Sequence, residues 1–277
     1  MIVKTKNIKN ITLEISAIIT SFFLFSVFIL SPAFYVFKGA FEPLSISLIS
    51  RSKEWTLDNF RYIFSEGYHI YIINSFIVCF FSTFIACTIS LFAAYAISRF
   101  KFKGRGIIFG SILGGQFFPW IILINPIFII FARAGFVNNL SSMIFIYTAV
   151  ITPFSIYLMV GYLATIPISL DEAAIIDGAS RFKIVINVIL PLVTPGLVAT
   201  ATYGFLQAWS EYVLALTLLT DDSKKTLPLG LAQFFGEETV QWGPLMAGCV
   251  ITIIPTLIVF LPLQNKLISG LTQGAIK

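Results

Sequence analysis

The sequence predicts an all-α membrane protein with six transmembrane helices, folded as a single domain over its 277 residues. Hydrophobic residues make up 57% of the chain and charged residues only 11%, with a mean hydropathy of +0.92. A soluble domain carries about a quarter charged residues, so lipid must cover much of this surface. Apolar runs long enough to cross a hydrocarbon core of about 30 Å recur along the chain, and charges fall between them.

The first run follows several lysines, as the apolar core of a signal peptide would. It is longer than the usual ~7–15 residues and no small-residue cleavage site is evident, so we expect it to remain as a membrane anchor. The second run stops sharply at Arg99, and Pro119 and Pro126 should kink the third. The six predicted spans are residues 15–37, 71–98, 107–131, 141–165, 192–216 and 244–268.

Lysine and arginine set the expected orientation. They are more frequent on the inner segments if both termini lie in the cytoplasm, which predicts a multi-pass plasma-membrane protein of that topology. The net charge of +5 arises from short clusters between apolar runs, so membrane lipid rather than nucleic acid is the expected partner. The largest cluster is predicted to act as an orientation signal and anionic-lipid anchor. It consists of Arg99, Lys101, Lys103 and Arg105.

Several classes of chemistry have no motif in this sequence. No Gly-Lys dipeptide occurs, so no phosphate-binding P-loop is expected. Metalloprotease and hydrolase motifs are absent as well, which argues against an enzyme. Cys79, Cys87 and Cys249 lie within apolar runs, where we expect them to pack rather than bind metal or pair. Ionisable residues are almost missing from the run centres, which argues against a proton- or sodium-coupled carrier.

The segment between the fourth and fifth runs predicts a short helix, a sharp turn and a second helix. Pro167 should end the preceding helix. Ser169 and Glu172 have capping-box spacing, which predicts a helix start at Ser169. Gly178 suits a left-handed turn, and Ser180 can cap the helix that follows. The small residues would let a partner approach closely, although a plain connecting helix pair fits the same pattern.

This segment resembles the EAA motif of ABC importer permeases, EAA-x3-G-x9-I-x-L-P. Glu172–Ala174 are followed after three residues by Gly178 and after nine more by Val188–Pro191, with Val188 where isoleucine is usual. The resemblance implies a coupling helix seated in a groove of a separate ATPase subunit. The residues implied to make this contact are Glu172, Ala173, Ala174, Asp177 and Gly178.

The resemblance covers most of the chain. Thr56–Phe60, Trp209–Tyr212 and Gly270–Lys277 are similar to segments of the maltose-permease-like, carbohydrate-uptake branch, with Ser210 where asparagine is usual. It implies an ABC ATPase dimer that binds ATP and magnesium, a second permease, an extracellular solute-binding protein, and no cofactor in this chain. A second gene product is favoured for the partner permease, with a copy of this chain as the alternative. The implied tail contacts with the ATPase are Thr272, Gln273 and Gly274, and the implied binding-protein contacts are Gly236, Glu237 and Glu238.

A solute path is predicted from polar and aromatic residues within the spans. The candidates are Gln116, Asn125, Gln207, Trp209 and Glu211. Amide and aromatic groups suit a sugar, but the same residues fit interhelical bonding, an interfacial tryptophan and a structurally paired glutamate. The sequence thus predicts a permease subunit of a sugar importer. An importer of another solute, an ATP-independent carrier or channel, and a membrane assembly subunit remain as alternatives.

Overall fold

The structure is a computed structural model that describes residues 8–43, 54–117, 119–236 and 240–273. Over these residues the chain is helical, and extended pairing is confined to an isolated bridge between Phe235 and Val240. The α-helices of the described residues are α1 (Ile8–Ala40), α2 (Asp58–Ser65), α3 (Tyr68–Arg99), α4 (Arg105–Gly114), α5 (Ile124–Arg133), α6 (Leu140–Leu163), α7 (Ser169–Ile176), α8 (Arg181–Ile184), α9 (Leu190–Trp209), α10 (Val213–Leu218), α11 (Leu227–Leu231) and α12 (Trp242–Gln273).

Five helices of the described residues are long and apolar enough to cross a membrane, and a bent pair raises the number to six. The all-helical class is therefore confirmed. The pair is Arg105–Phe117 and Trp120–Arg133, whose axes differ by 84°. Pro119 lies at the break with an extended ψ of 96°, so the predicted proline effect is a full interruption. Pro126 falls in the first turn of α5, where proline fits an α-helix.

The fifth span differs from its predicted bounds of 192–216. It runs from Arg181 to Trp209, because α8, a short π-helix and α9 follow one another without interruption. α9 ends at Trp209, and Val213 begins the separate helix α10. Hydropathy alone continues through this break, since the residues of α10 are themselves apolar. The predicted start at residue 192 and the predicted end at residue 216 were therefore both too late along the chain.

The described residues group into two compact units, of which the smaller comprises those among Met1–Glu66 and Phe234–Ile251. In this unit the buried side chain of Asn59 connects α2 to the end of α1. The Asn59 amide donates to the carbonyls of Ala40 at 3.1 Å and Glu42 at 2.7 Å, which fixes the chain as it leaves α1. By contrast α1 exposes most of its apolar length within this unit, as expected of a helix covered by lipid or another chain.

The larger unit, the described residues among Gly67–Gln233 and Thr252–Lys277, is built on α3, α6 and α9. Small residues let these helices approach closely, as in other membrane bundles. A side chain at Gly196 of α9 would come within 2.3 Å of the Tyr162 ring of α6. The buried small residues of α3 are Ser75, Cys79, Ser82, Thr83, Ala86, Cys87, Ser90 and Ala94.

The start of α3 holds the segment that leads into α11. The Asn74 amide donates to the carbonyls of Ser223 at 3.0 Å and Lys225 at 2.9 Å, and the Ser75 hydroxyl accepts from the Leu227 amide at 2.8 Å. All three bonds join a side chain of α3 to backbone groups between Ser223 and Leu227, the first residue of α11. We call this set of five residues the α11 joint.

Candidate functional site

Helix α7 begins at Ser169, as the sequence predicts. The predicted capping box does not form, because the preceding residue, Ile168, is already helical at φ −64° and makes Ser169 the first residue of the helix. The amides of Asp171 and Glu172 instead donate to the Ile168 carbonyl at 2.9 and 3.2 Å. Backbone hydrogen bonds thus form the first turn of α7, and the side chains of Asp171 and Glu172 are free for other contacts.

The turn after α7 is the predicted left-handed one. Gly178 has φ +79°, a conformation that costs an L-residue about 1–2 kcal/mol. The Ala179 amide donates to the Ala174 carbonyl at 2.9 Å and the Gly178 amide to the Ile175 carbonyl at 3.0 Å, the Schellman pattern. Ser180 then caps α8 by accepting from the Lys183 amide at 3.4 Å, as predicted.

Residues 169–184, which we call the α7 loop, bury one face within the larger unit and expose the other. Ala174 and Ile184 belong to a buried apolar cluster with residues of α3, α6 and α9. The open face carries large apolar side chains, since Ile176 is 85% and Phe182 65% exposed. The residues of the EAA resemblance on the open side are Glu172, Ala173, Asp177 and Gly178, whereas Ala174 faces inward.

An ion pair ties α7 to the last residue of α3. Arg99 Nε lies 3.0 Å from Asp171 Oδ2, and the two side chains are 5% and 3% exposed. Arg99 Nη2 also donates to the Ile166 carbonyl at 2.9 Å. The prediction that Arg99 anchors lipid is therefore wrong, because its guanidinium is buried against protein. The other three members of that basic cluster are exposed.

The link from α8 to α9 is a π-helix over Val185–Ile189. Its hydrogen bond runs from the Leu190 amide to the Val185 carbonyl, five residues back. Pro191 explains this spacing: it has no amide hydrogen, and its ring would press on the carbonyl four residues earlier in a regular α-helix. The Leu-Pro of the EAA resemblance thus sets a wider turn at the base of α9.

The amides predicted for the solute path lie on exposed surface. Gln116, Asn125 and Gln207 are all exposed within or beside membrane-crossing segments. Gln116 donates to the Val150 carbonyl at 3.2 Å, and Gln207 donates to the Tyr203 hydroxyl at 3.3 Å. Polar groups at this depth avoid lipid and face a water-filled cavity or another protein surface.

Glu211 is the structurally paired acid that the sequence left as one alternative. Its carboxylate accepts from the Tyr147 hydroxyl at 2.6 Å and from the amides of Leu214 at 2.8 Å and Ala215 at 3.3 Å. The two amides belong to the first turn of α10, where a negative charge is favourable. Glu211 therefore fixes the break between α9 and α10.

A cavity of about 100 Å³ opens beside this carboxylate. It brings Gln207 and Glu211 together with two residues that the sequence did not single out, Tyr147 and Trp120. Tyr147 lies 64 positions from Glu211, and no local pattern links them. An aromatic ring, a hydroxyl, an amide and a carboxylate around one opening are groups able to hydrogen-bond and stack against a polyhydroxylated solute.

Trp209 lies outside this cavity and packs among helices. It is 2% exposed, and its ring centroid lies 5.5 Å from that of Phe205 and 5.0 Å from that of Phe76. Its indole nitrogen donates to the Thr252 carbonyl at 3.2 Å. These contacts give Trp209 a packing role inside the bundle, rather than the place on a solute path or at the membrane interface that the sequence suggested.

The remaining predicted contacts lie at the limits of the described chain. Gly236 is exposed, directly after the residue that forms the bridge to Val240. Glu237 and Glu238 lie outside the described residues, as does Gly274. Thr272 and Gln273 are described only as the last helical residues of α12.

A membrane-crossing helical bundle with an exposed two-helix loop on EAA spacing defines a permease subunit of an ABC importer. The chain belongs to the family described as binding-protein-dependent transport system inner membrane component, whose model matches residues 86–272. The ATP-independent carrier is thereby excluded. In this family the permease is not catalytic, and ATP hydrolysis belongs to a separate subunit.

Curated relatives and solved structures agree with this assignment. The chain is 37% identical to the trehalose/maltose transport system permease protein MalG of Thermococcus litoralis, over 98% of each chain. It is 35% identical to the diacetylchitobiose uptake system permease protein DasC of Streptomyces coelicolor, over 89% of this chain and 91% of DasC. A bacterial ABC transporter that imports alginate shares the fold with a TM-score of 0.78 at 21% identity, covering 95% of this chain and 99% of that one.

Proposed function

We propose that the importer to which this permease belongs carries a disaccharide or short oligosaccharide. Two relatives with this function in their names span nearly the whole chain, and their substrates are trehalose or maltose and diacetylchitobiose. The polar groups of the small cavity beside Glu211 are compatible with contact to one sugar unit, because an aromatic ring, an amide and a hydroxyl lie there among aliphatic side chains. Gln116, Asn125 and Gln207 extend the same chemistry along the path.

The α7 loop is proposed to dock on the ATPase and transmit its closure. The single observation that carries this is the contrast between its two faces: Asp171 and Ala174 are sealed inside, whereas Ile176 stands 85% exposed beside Glu172. An exposed isoleucine on a small-residue helix fits an apolar groove of a partner. Ile176, Phe182, Glu172 and Gly178 then form the contact.

The proposed assembly contains an ABC ATPase dimer with bound ATP and magnesium, this permease paired with a second gene product, and an extracellular solute-binding protein. Both termini lie in the cytoplasm and the complex resides in the plasma membrane. Gly236, Glu237 and Glu238 contact the binding protein in this proposal, and Thr272, Gln273 and Gly274 contact the ATPase. The lysine and arginine distribution supports the orientation.

The docking surface is tested by Ile176→Glu. We expect the variant to fold, because the side chain is exposed, but to co-purify with at least tenfold less ATPase than the wild type after gentle detergent extraction. Arg105→Gln, another exposed position beside the membrane-crossing helices, is the matched control and should retain the ATPase. Equal recovery of the ATPase with Ile176→Glu would contradict the docking role of α7.

The substrate class is tested by reconstitution. The intact complex and its binding protein would be placed in proteoliposomes loaded with ATP, and uptake of radiolabelled trehalose, maltose and diacetylchitobiose would be compared with that of methionine. We expect ATP-dependent uptake of at least one of the sugars. Uptake of methionine, or of none of the three sugars by a complex with binding-protein-stimulated ATPase activity, would favour an importer of another solute.

A further inference from the structure

The geometry of the ion pair between Arg99 and Asp171 opposes movement of α7 relative to α3. Arg99 is the last residue of α3. It contacts the Asp171 carboxylate of α7 at 3.0 Å and the carbonyl of Ile166, just before α7, at 2.9 Å. Both side chains are at least nine-tenths buried. Displacing α7 from α3 would leave a charged group without its partner in an apolar setting, which is strongly unfavourable.

The residues around the ion pair also hold α7 against α3. Leu91, Ala94 and Tyr95 of α3 lie in the same buried apolar cluster as Ala174 of α7. The Tyr95 side chain lies near both Asp171 and Arg181. Water therefore has little access to the ions, and screening by solvent is weak there.

The connection from α7 to α9 is of another kind. It passes through the left-handed turn at Gly178 and the π-helix Val185–Ile189 before α9 begins. π-helical segments inside α-helices are frequent at functional sites and are one of the places where helices kink. α7 is thus joined to α3 through a buried ion pair, and to α9 through a π-helix whose Val185 and Ile189 pack in the same buried apolar cluster as Ala174.

The three bundle helices also differ in continuity. α3 has 32 residues without proline or glycine, whereas α6 contains Pro153 and α9 contains Pro195. Proline weakens and kinks a helix, so α3 is the stiffest of the three. From Arg99 back to Asn74 in the α11 joint, α3 spans about 37 Å at 1.5 Å per residue.

We propose that Arg99 and Asp171 are positioning residues that make α3 the helix that moves with α7. In this proposal α3 moves as a rigid body together with α7. It carries the displacement of α7 to the α11 joint, while the π-helix absorbs the change between α7 and α9. The inference rests on the proposed docking of α7 on an ATPase, and it names the route that the movement takes inside the permease.

The test is a distance measurement on the intact complex, with no solute present. Spin labels would be placed at Ser169→Cys on α7, His69→Cys on α3 and Ser210→Cys after α9, all exposed positions, in a background with the three native cysteines replaced by alanine. Distances from Ser169 to His69 and from Ser169 to Ser210 would be compared between the nucleotide-free and the ATP–vanadate-trapped states. We expect the first to stay constant and the second to change.

Arg99→Gln and Asp171→Asn should each make the distance from position 169 to position 69 change on trapping, and the reversed pair Arg99→Asp with Asp171→Arg should restore its constancy. A structural role alone would not give this state-dependent rescue. If the distance changes in the wild type, or stays constant in both single variants, the inference is overturned. A complex that contains no ATPase would overturn the proposed function first, so the two failures are distinguishable.

Discussion

The two ends of α3 are held in chemically different ways. At the end of the helix Arg99 binds the Asp171 carboxylate and the Ile166 carbonyl, three residues that we call the α7 joint. At its start, in the α11 joint, the neutral side chains of Asn74 and Ser75 bond to backbone groups at 2.8–3.0 Å. One joint is an ion pair inside an apolar cluster, and the other is a set of separate hydrogen bonds.

Because the two joints are held differently, they should lose stability in different ways when their side chains are removed. A neutral hydrogen bond contributes about 0.5–1.5 kcal/mol, so the α11 joint loses stability in steps as its bonds are removed. A buried ion pair adds little net stability, yet removal of one partner costs about 3–5 kcal/mol. The α11 joint therefore sets the path of a loop, whereas the α7 joint specifies which helix α7 must accompany.

Asp171→Ala should give the largest effect. It leaves the Arg99 guanidinium buried without its counter-ion, and we expect a loss of about 3–5 kcal/mol in the free energy of unfolding. An SDS titration of the purified protein in mixed micelles measures this loss. Asp177→Ala, an exposed acid at the end of the same helix, is the control and should change stability by less than about 0.5 kcal/mol. Similar values for the two variants would refute the contrast between the joints.

Asn74→Ala should give an intermediate effect. It removes two hydrogen bonds of the α11 joint and leaves the carbonyls of Ser223 and Lys225 without that donor, for a loss of about 1–3 kcal/mol. The same titration applies. Thr88→Ala on the same helix removes an exposed bond to its own backbone and should be nearly neutral. A loss as large as that of Asp171→Ala would mean that the two joints do not differ in kind.

Gly178→Ala should cost about 1 kcal/mol, because the left-handed φ of +79° is strained for any residue with a Cβ. The strain is purely conformational, since a Cβ there would have no atom within 4 Å. Gly178→Asn is the matched variant and should lose less, because asparagine tolerates this region. Equal losses for alanine and asparagine would point to a steric cause instead.

The smallest effect concerns the ion pair between the exposed Asp222 and Lys225 of the α11 joint. A hydrogen bond and charge from Lys225 lower the pKa of Asp222 below its ordinary value. Its carboxylate therefore stabilises the fold above about pH 3.9, the usual aspartate pKa, and this contribution is lost as the pH falls further. Because Asp222 is 74% exposed, the loss should stay below about 1 kcal/mol. Asp222→Asn should remove the pH dependence, and an unchanged acid slope would contradict its origin.

The sequence predicted those parts of the site that depend on local geometry. The left-handed Gly178 and the cap at Ser180 follow from residue type over a few positions, and both are confirmed. The start of α7 is also at the predicted residue, although the capping box from which it was predicted does not form. The break at Pro119 follows from the missing amide of proline in the same way. Composition and the length of the apolar runs likewise sufficed for the membrane-crossing class.

Contacts across long sequence separations were not predictable in this way. Arg99 and Asp171 lie on different helices, and a basic residue at the end of an apolar run indicates orientation far more often than a buried pair. The partner of Glu211 was equally hidden, because Tyr147 is one of ten tyrosines and no spacing selects it. Without the fold, the sequence supplies candidates for such pairs but no means to match them.

The π-helix at the base of α9 has a consequence for the phase of that helix. Each residue added to or removed from an α-helix turns everything beyond it by about 100° about the axis. The five residues Val185–Ile189 therefore determine which side of α9 faces its neighbours, including the position of Gly196 against Tyr162. A deletion of one residue there would turn Gly196 away and present a larger side chain to the ring. In the structure the wide turn sets the rotation of α9 about its axis, so the adjustment proposed for the π-helix would rotate the whole of α9.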